Sequence, residues 1–148
     1  MILVSKCLLG VPCRMDGQSK LVPEVRRLYD EGKAVPVCPE VLGGLPTPRE
    51  PAEIRADGRV VNRIGEDVTE AFQKGAAEAL RICREAGCTS AILKSKSPSC
   101  GVGMIHNGCF DGGLVTGNGI FAALLLSEGI PVMTEEEYLE CGRRNEEE

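Results

Sequence analysis

The chain has 148 residues, of which 43% are hydrophobic and 26% charged, with a formal net charge of -5. This length supports one hydrophobic core, and the composition is ordinary for a globular domain. No apolar run reaches the roughly 18 residues of a membrane span, and the start lacks a secretory signal, so we expect a cytoplasmic protein. The acidic balance and the 3% of aromatic residues argue against a polynucleotide partner, because nucleic-acid binders usually carry a basic face.

Short apolar runs alternate with helical patterns along the chain. Strands are predicted at residues 1–5, 34–37, 90–94 and 130–133, and helices at 23–32, 68–87, 119–128 and after 134. Such alternation is typical of parallel strands joined by right-handed helical crossovers. We therefore predict one α/β domain over residues 1–148, a three-layer, Rossmann-like fold with an open, mainly parallel sheet and a tail frayed from about residue 143.

Local signals refine this prediction. A small hairpin insertion is expected between Glu53 and Asn62, turning at Asp57-Gly58. A long loop rich in glycine and asparagine is expected over residues 101–117. Helix caps are expected from polar residues at the helix starts: Asp67 with Glu70, Thr134 with Glu137, and Asn118.

Cysteine is unusually frequent, with eight residues in the chain. Disulfides are rare in the cytoplasm, so metal binding or thiol chemistry is favoured. The sequence contains no C-x-x-C pair, which disfavours zinc ribbons and thioredoxin-like motifs. Any metal site must therefore be assembled from separated segments.

Three cysteines stand just past predicted strands and lead into turns. Cys7 and Cys38 follow the first two strands, and Cys100 lies in the turn after the third. Because the carboxyl ends of parallel strands meet at one edge of an open sheet, these thiols can converge on one centre. Three thiolates leave an open position for chemistry, and an all-sulfur donor set favours an iron–sulfur site.

The other cysteines and the single histidine are interpreted more conservatively. Cys13 can fold back to add a fourth sulfur, which would suit zinc or an electron-transfer cluster. His106 is interpreted as a solvated loop residue. Free cysteine is often simply buried, and this structural role is expected for the remaining four: Cys83, Cys88, Cys109 and Cys141.

Polar residues near these strand ends are candidates for catalysis. Glu40 can carry a proton as general acid or base, or can be a solvent-facing loop carboxylate. Ser97 and Ser99 can orient a substrate or relay a proton, or can only cap the turn. Lys94 and Lys96 can offset an anionic cluster or a developing oxyanion, or can be ordinary surface lysines.

A pocket at this edge can also use polar residues of the first two loops. Asp16 and Arg49 can hydrogen-bond a polar heterocycle. An ion pair that only ties the loops together, in which Arg14 also takes part, is the favoured alternative. Together with Lys94, Asp16 and Arg49 are the candidate substrate-binding residues.

Four runs of the chain closely resemble the 2-thiouracil desulfurase (TudS) family. They are VSKCLLG at residues 4–10, VCPEVLGGLPTPR at 37–49, DVT at 67–69 and KSKSPSCG at 94–101. The resemblance covers about residues 1–133. Cys-Pro-Glu together with Ser-Pro-Ser-Cys-Gly is a specific combination.

The resemblance implies a catalytic [4Fe-4S] cluster with one iron open to substrate. It implies a non-redox desulfuration, in which the sulfur of a thiolated nucleobase or similar small thio-compound binds the open iron and water replaces it at carbon. 2-Thiouracil would give uracil and sulfide. Matched position by position, the cluster ligands would be Cys7, Cys38 and Cys100, and the acid–base residues Glu40 and either Ser97 or Ser99.

Two other functions remain open from the sequence. A sulfur carrier or cluster-binding module would hold sulfur and pass it to a partner without turnover of its own. A structural four-cysteine zinc protein would use Cys13 as its fourth ligand. For the leading hypothesis, the expected partner is a small thiolated base or nucleoside, with no membrane.

Overall fold

The computed structural model describes the backbone of residues 1–147 and the side chains of residues 1–142. The predicted fraying of the tail falls on residues beyond the described side chains, so it stays a prediction. Along the chain the elements are β1 (Ile2–Ser5), a 3-10 helix (Lys6–Leu9), α1 (Pro23–Asp30), β2 (Ala34–Val37), α2 (Pro39–Leu42), β3 (Ala52–Ile54), β4 (Val60–Asn62), α3 (Thr69–Glu85), β5 (Ser90–Leu93), β6 (Met104–His106), β7 (Leu114–Thr116), α4 (Ile120–Ser127), β8 (Val132–Thr134) and α5 (Glu135–Glu147).

The central sheet is open and parallel. Its strand order is β2-β1-β5-β8, and Ile2 of β1 lies opposite Ala34 of β2 and Ser90 of β5. The predicted α/β fold with an open, mainly parallel sheet is confirmed. Strand β8 begins two residues later than predicted, because the amide of Ile130 donates to the Leu125 carbonyl at 3.0 Å and closes α4.

Alternate residues of each strand pack on opposite faces of this sheet. Leu3 lies in a core layer with side chains of α3 and α4, including Phe121. Its neighbour Val4 lies in a second layer that includes Val25 of α1 and side chains of α5. Burying each such large side chain contributes about 1.5–3 kcal/mol. Helices thus cover both faces of the sheet, and a ligand has access at an edge.

Two hairpins lie outside the central sheet. Strands β3 and β4 pair antiparallel, and Gly58 in their turn has a φ of 88°, as the Asp57-Gly58 signal predicts. Strands β6 and β7 pair within the long loop of residues 101–117. Glu53 of β3 joins the hairpins, because its Oε1 accepts the amides of Gly108 at 3.0 Å and Phe110 at 3.2 Å.

The helix caps agree with prediction at α5 and differ at α3. Thr134 and Glu137 form the expected capping box, each amide donating to the other side chain at 3.1 Å. Asp67 instead accepts the amide of Thr69 at 2.9 Å, and α3 begins at Thr69. The predicted box of Asp67 with Glu70 is therefore wrong, because the helix starts two residues past Asp67 and not next to it.

None of the described helices is long and apolar enough to cross a membrane.

Candidate active site

A cavity of about 510 Å³ opens at the carboxyl edge of the central sheet. Its wall is formed by the segments that follow β1, β2 and β5, and by residues of both hairpins. Four of the lining residues are cysteines: Cys7, Cys13, Cys38 and Cys100. The fold thus brings the three predicted ligands to one cavity, with the fourth cysteine beside them.

Short structural elements present these cysteines. Cys7 lies in the 3-10 helix after β1, and Cys38 is the residue directly before α2. Cys100 lies in the turn after β5 and is 4% exposed, whereas Cys38 is partly buried. The Sγ of Cys38 lies 3.8 Å from the carbonyl oxygen of Cys13. The loop after β1 and the segment after β2 therefore meet at Cys13 and Cys38.

Two of the candidate ligands, Cys38 and Cys100, hold their protons tightly. Burial raises the pKa of Cys100 to about 12. A hydrogen bond with Cys13, together with burial, raises the pKa of Cys38 as well. Thiols bind metal as thiolates, so ligation here requires a cationic centre that displaces these protons.

Helix α2 holds Glu40 next to the second cysteine. It packs backbone to backbone on α3, where a Cβ at Gly75 would lie 1.8 Å from the carbonyl oxygen of Pro39. Only glycine permits an approach this close. The first turn of α2, which contains Glu40, therefore packs directly on α3, the longest of the described helices.

The turn over residues 97–101 is braced by the start of α4. The amide of Phe121 donates to the carbonyl of Ser99 at 2.9 Å. Asn118 was expected to cap this helix, but it accepts the amide of Gly103 at 2.9 Å instead. That prediction is wrong because carbonyls of the cysteine-bearing turn satisfy the first amides of α4.

The two serines of this turn have different surroundings. Ser97 Oγ accepts the backbone amides of Ser99 at 3.2 Å and Cys100 at 3.1 Å, so it caps the turn. The hydroxyl of Ser99 donates to Glu40 Oε2 at 2.9 Å and lies 3.6 Å from Cys100 Sγ. The two hydroxyls are 3.0 Å apart. Ser99 is thus the serine between the carboxylate and a candidate ligand.

Arg49 pairs with Glu40 and not with the aspartate considered from the sequence. Its Nε lies 3.1 Å from Glu40 Oε1, and the two side chains are only 7% and 14% exposed. Asp16 lies outside the cavity wall and pairs with Arg14 at 3.8 Å. Neither ion pair joins the loop after β1 to the loop after α2, so the ion pair expected between these loops is not formed. The loops are joined instead by Nη2 of Arg49, which donates to the carbonyl of Cys13 at 3.2 Å. A substrate contact for Asp16 stays a prediction.

Both candidate lysines line the cavity and have acidic partners. Lys94 Nζ donates to the carbonyl and hydroxyl oxygens of Ser95 and lies 3.4 Å from Oε1 of the buried Glu135. Lys96 Nζ lies 3.9 Å from Glu136 Oε1. Substrate binding by Lys94 stays a prediction, and its ammonium is already held by Glu135.

One residue of the cavity wall differs from the sequence-based expectation. His106 is not a solvated loop residue, because it lies on β6 and lines the cavity. Its Nδ1 is buried and has no hydrogen-bond partner in the described part of the chain. The only sequence signal was the short strand-like run around Ile105, which places alternate side chains on one face.

Cysteines outside the cavity divide into two kinds. Cys83 and Cys88 are buried in the core layer beside α3 and α4, as their structural reading predicts. Cys109 and Cys141 are exposed, so a buried packing role is wrong for them. Cys109 lies near the tip of the β6–β7 hairpin, and Cys141 lies on α5.

The donor set of the cavity suits an iron–sulfur cluster. It is rich in thiols, which prefer soft metals and cluster irons. Among the described residues, no group of three or more His, Cys, Asp or Glu side chains is arranged to hold a single metal ion. A cluster is bulkier than one ion, so its cysteine ligands can stand around a cavity without converging on a point.

Comparison with known proteins identifies the family of this chain. The family model described as 2-thiouracil desulfurase matches residues 2–137. The solved structure of the [4Fe-4S]-dependent thiouracil desulfidase TudS superposes with a TM-score of 0.88 at 47% identity, covering 98% of this chain and 97% of that one. The uncharacterized protein YbbK of Bacillus subtilis (strain 168) is 47% identical over 146 residues, which is 93% of this chain and 97% of YbbK. The resemblance read from the sequence is confirmed, and the chain belongs to the 2-thiouracil desulfurase family.

Proposed function

We propose that this protein removes sulfur from a thiolated nucleobase, or a similar small thio-compound, by hydrolysis. With 2-thiouracil, the C=S group and one water become the C=O group of uracil and hydrogen sulfide, with no net electron transfer. The observation that carries this proposal is the single cavity shared by three cysteines and the Glu40–Ser99 pair. The family to which the chain belongs supports the substrate class.

The proposed cofactor is a [4Fe-4S] cluster held by Cys7, Cys38 and Cys100. The similar protein TudS is described as [4Fe-4S]-dependent. When bound, such a cluster supplies a Lewis-acidic iron with an affinity for the soft sulfur of a thiocarbonyl. The all-thiol donor set fits this group.

Glu40 and Ser99 are proposed to move the protons. Glu40 is the only cavity carboxylate that contacts both a buried cation and a hydroxyl among the described contacts, and its Oε2 can take a proton from the attacking water. The Ser99 hydroxyl lies between Glu40 and Cys100, so it can return a proton toward the departing sulfur. Ser97 is proposed only to hold the turn.

The first test is anaerobic reconstitution with iron and sulfide, followed by incubation with 2-thiouracil. We expect a brown protein with about four irons per chain, which releases uracil and sulfide in equal amounts. A loaded protein that leaves 2-thiouracil intact would contradict the proposed substrate. A colourless protein that binds zinc would contradict the cofactor.

The acid–base assignment is tested in the same assay. Glu40→Gln and Ser99→Ala should keep their iron and lose about 10²–10⁴ in turnover, the usual contribution of a positioned acid or base. Glu50→Gln is the matched control, because Glu50 is exposed. Turnover of Glu40→Gln equal to that of Glu50→Gln would remove the role assigned to Glu40.

A further inference from the structure

Arg49 uses every nitrogen of its guanidinium on the protein itself. Nε donates to Glu40 Oε1 at 3.1 Å. Nη1 donates to the carbonyl of Pro46 at 3.1 Å and to Thr47 Oγ1 at 3.2 Å. Nη2 donates to the carbonyl of Cys13 at 3.2 Å. The side chain is 7% exposed. The bonds to Glu40 and Cys13 are partly buried, and those to Pro46 and Thr47 are exposed.

This arrangement leaves little of Arg49 for a substrate. A guanidinium has five N–H donors in a rigid plane, and the four bonds above use four of them. A substrate-binding arginine would present a fork of two parallel donors to the cavity. In this structure the guanidinium directs Nε at Glu40 and its other nitrogens at backbone and loop oxygens.

The two oxygens of Glu40 have separate partners. Oε1 accepts from Arg49, and Oε2 accepts the hydroxyl of Ser99 at 2.9 Å. Because the guanidinium is itself fixed by the carbonyls of Pro46 and Cys13, it determines how the carboxylate is turned. The contact with Arg49 therefore aims Oε2 at Ser99.

We propose that Arg49 is a positioning residue, which orients Glu40 for proton transfer and does not bind the substrate. This inference rests on the proposed function, because it concerns the residue to which that function assigns the proton. It replaces the substrate-binding role considered for Arg49 from the sequence. Misplacing a catalytic group by about 1 Å can cost about a hundredfold in rate, and we expect an effect of that size.

A purely structural role is the main competitor. The amide of Arg49 donates to the carbonyl of Met15 at 2.7 Å, and Nη2 reaches Cys13, so the residue also joins two loops. The test must therefore separate loss of the loop contacts from loss of the Glu40 contact. A double-mutant cycle with Glu40 provides this separation, because the Glu40 contact is the one that both substitutions remove. Thr47→Val is the control for a contact of Arg49 within its own loop.

The experiment is a double-mutant cycle on the reconstituted protein with 2-thiouracil. Arg49→Gln should lower kcat about a hundredfold and change KM by less than about threefold. Adding Arg49→Gln to Glu40→Gln should cause little further loss, because a residue that acts through Glu40 has no effect without it. Arg49→Lys keeps the positive charge and should recover about a tenth of the wild-type rate, and Thr47→Val should match the wild type.

Three outcomes would overturn the positioning role. A KM raised more than tenfold with kcat retained would assign Arg49 to the substrate. Losses that multiply in the double variant would show that Arg49 acts independently of Glu40. Loss of iron in both Arg49 variants, with Thr47→Val fully loaded, would assign Arg49 to the cluster-binding loop.

Thermal unfolding of the same variants without cluster keeps this proposal distinct from the proposed function. The Arg49 and Glu40 substitutions should be non-additive in melting temperature, because the two side chains are in contact. A wild type that releases no sulfide, with this coupling intact, would overturn the proposed function alone. Additive melting temperatures would contradict the contact on which the positioning role depends.

Discussion

Two sets of cysteines, those that line the cavity and the core pair Cys83 and Cys88, both contain buried thiols and differ in their neighbours. Cys100 lines the cavity beside a serine hydroxyl and 4% of it is exposed, whereas Cys88 does not line the cavity and 8% of it is exposed. Burial raises the pKa of both thiols, to about 12 for Cys100 and about 11 for Cys88. A buried, protonated thiol is therefore not by itself the mark of a site.

The position of each set in the fold explains the difference. The cavity cysteines follow the carboxyl ends of parallel strands, where backbone leaves the sheet and polar loops meet. Cys83 lies in the last turns of α3, and its Sγ lies 3.9 Å from the carbonyl of Cys88. Cys83 belongs to the buried apolar cluster beside α3 and α4 and does not line the cavity.

The largest expected difference between the two sets is in iron binding. Cys100→Ala should lower the iron content of the reconstituted protein to background, because it removes one of three proposed ligands. Cys83→Ala should retain the wild-type iron content, because Cys83 is not among the residues that line the cavity. Colorimetric iron determination on both variants, with their absorbance spectra, measures this.

Two results would contradict this difference between the cavity cysteine and the core cysteine. A fully loaded Cys100→Ala would mean that Cys13 or another residue supplies the third ligand. An iron-free but folded Cys83→Ala would mean that the core pair takes part in cluster binding. Circular dichroism of both variants keeps a folding defect from being mistaken for a ligand effect.

Much of this site follows from local sequence. Short apolar runs ending in Cys7, Cys38 and the turn of Cys100 predict both the strands and the edge at which they meet. The Thr134–Glu137 capping box is likewise a local signal with a local structure. Such features depend on neighbours within a few residues, so sequence alone predicts them.

The pairings across the cavity could not be predicted in this way. Glu40 meets Ser99 across 59 positions of sequence, and which of the two serines flanking Pro98 it meets depends on the direction of the turn. Arg49 pairs with Glu40 and not with Asp16 because the loop after α2 folds back on that helix. His106 reaches the cavity only because β6 pairs with β7. Each of these facts depends on tertiary packing.

A smaller difference is expected in stability. Cys83→Ser should lower the free energy of unfolding of the cluster-free protein by about 1–3 kcal/mol, because it buries a hydroxyl in an apolar layer. The Cys88 carbonyl lies 3.9 Å from Sγ, which is too far for a hydroxyl hydrogen bond. Cys141→Ser is the matched control, since Cys141 is exposed and surface substitutions stay within about 0.5 kcal/mol. Urea denaturation compares the two. Equal midpoints would show that the core around Cys83 accommodates a polar group and is looser than its burial indicates.

The smallest expected effect is the pH dependence of the core pair. Burial raises the pKa of Cys88 from 9.0 to about 11, so the folded protein holds this proton more tightly than the unfolded chain does. Its contribution to stability is then complete below pH 9 and is lost as the pH rises through 11. The melting temperature of the cluster-free wild type should fall over this range, and Cys88→Ala should fall less steeply. Cys109→Ala, at an exposed position, should follow the wild type. If the melting temperature of Cys88→Ala falls as steeply as that of the wild type, the thiol of Cys88 is not buried in solution. The core layer beside α3 would then be accessible to solvent at this position.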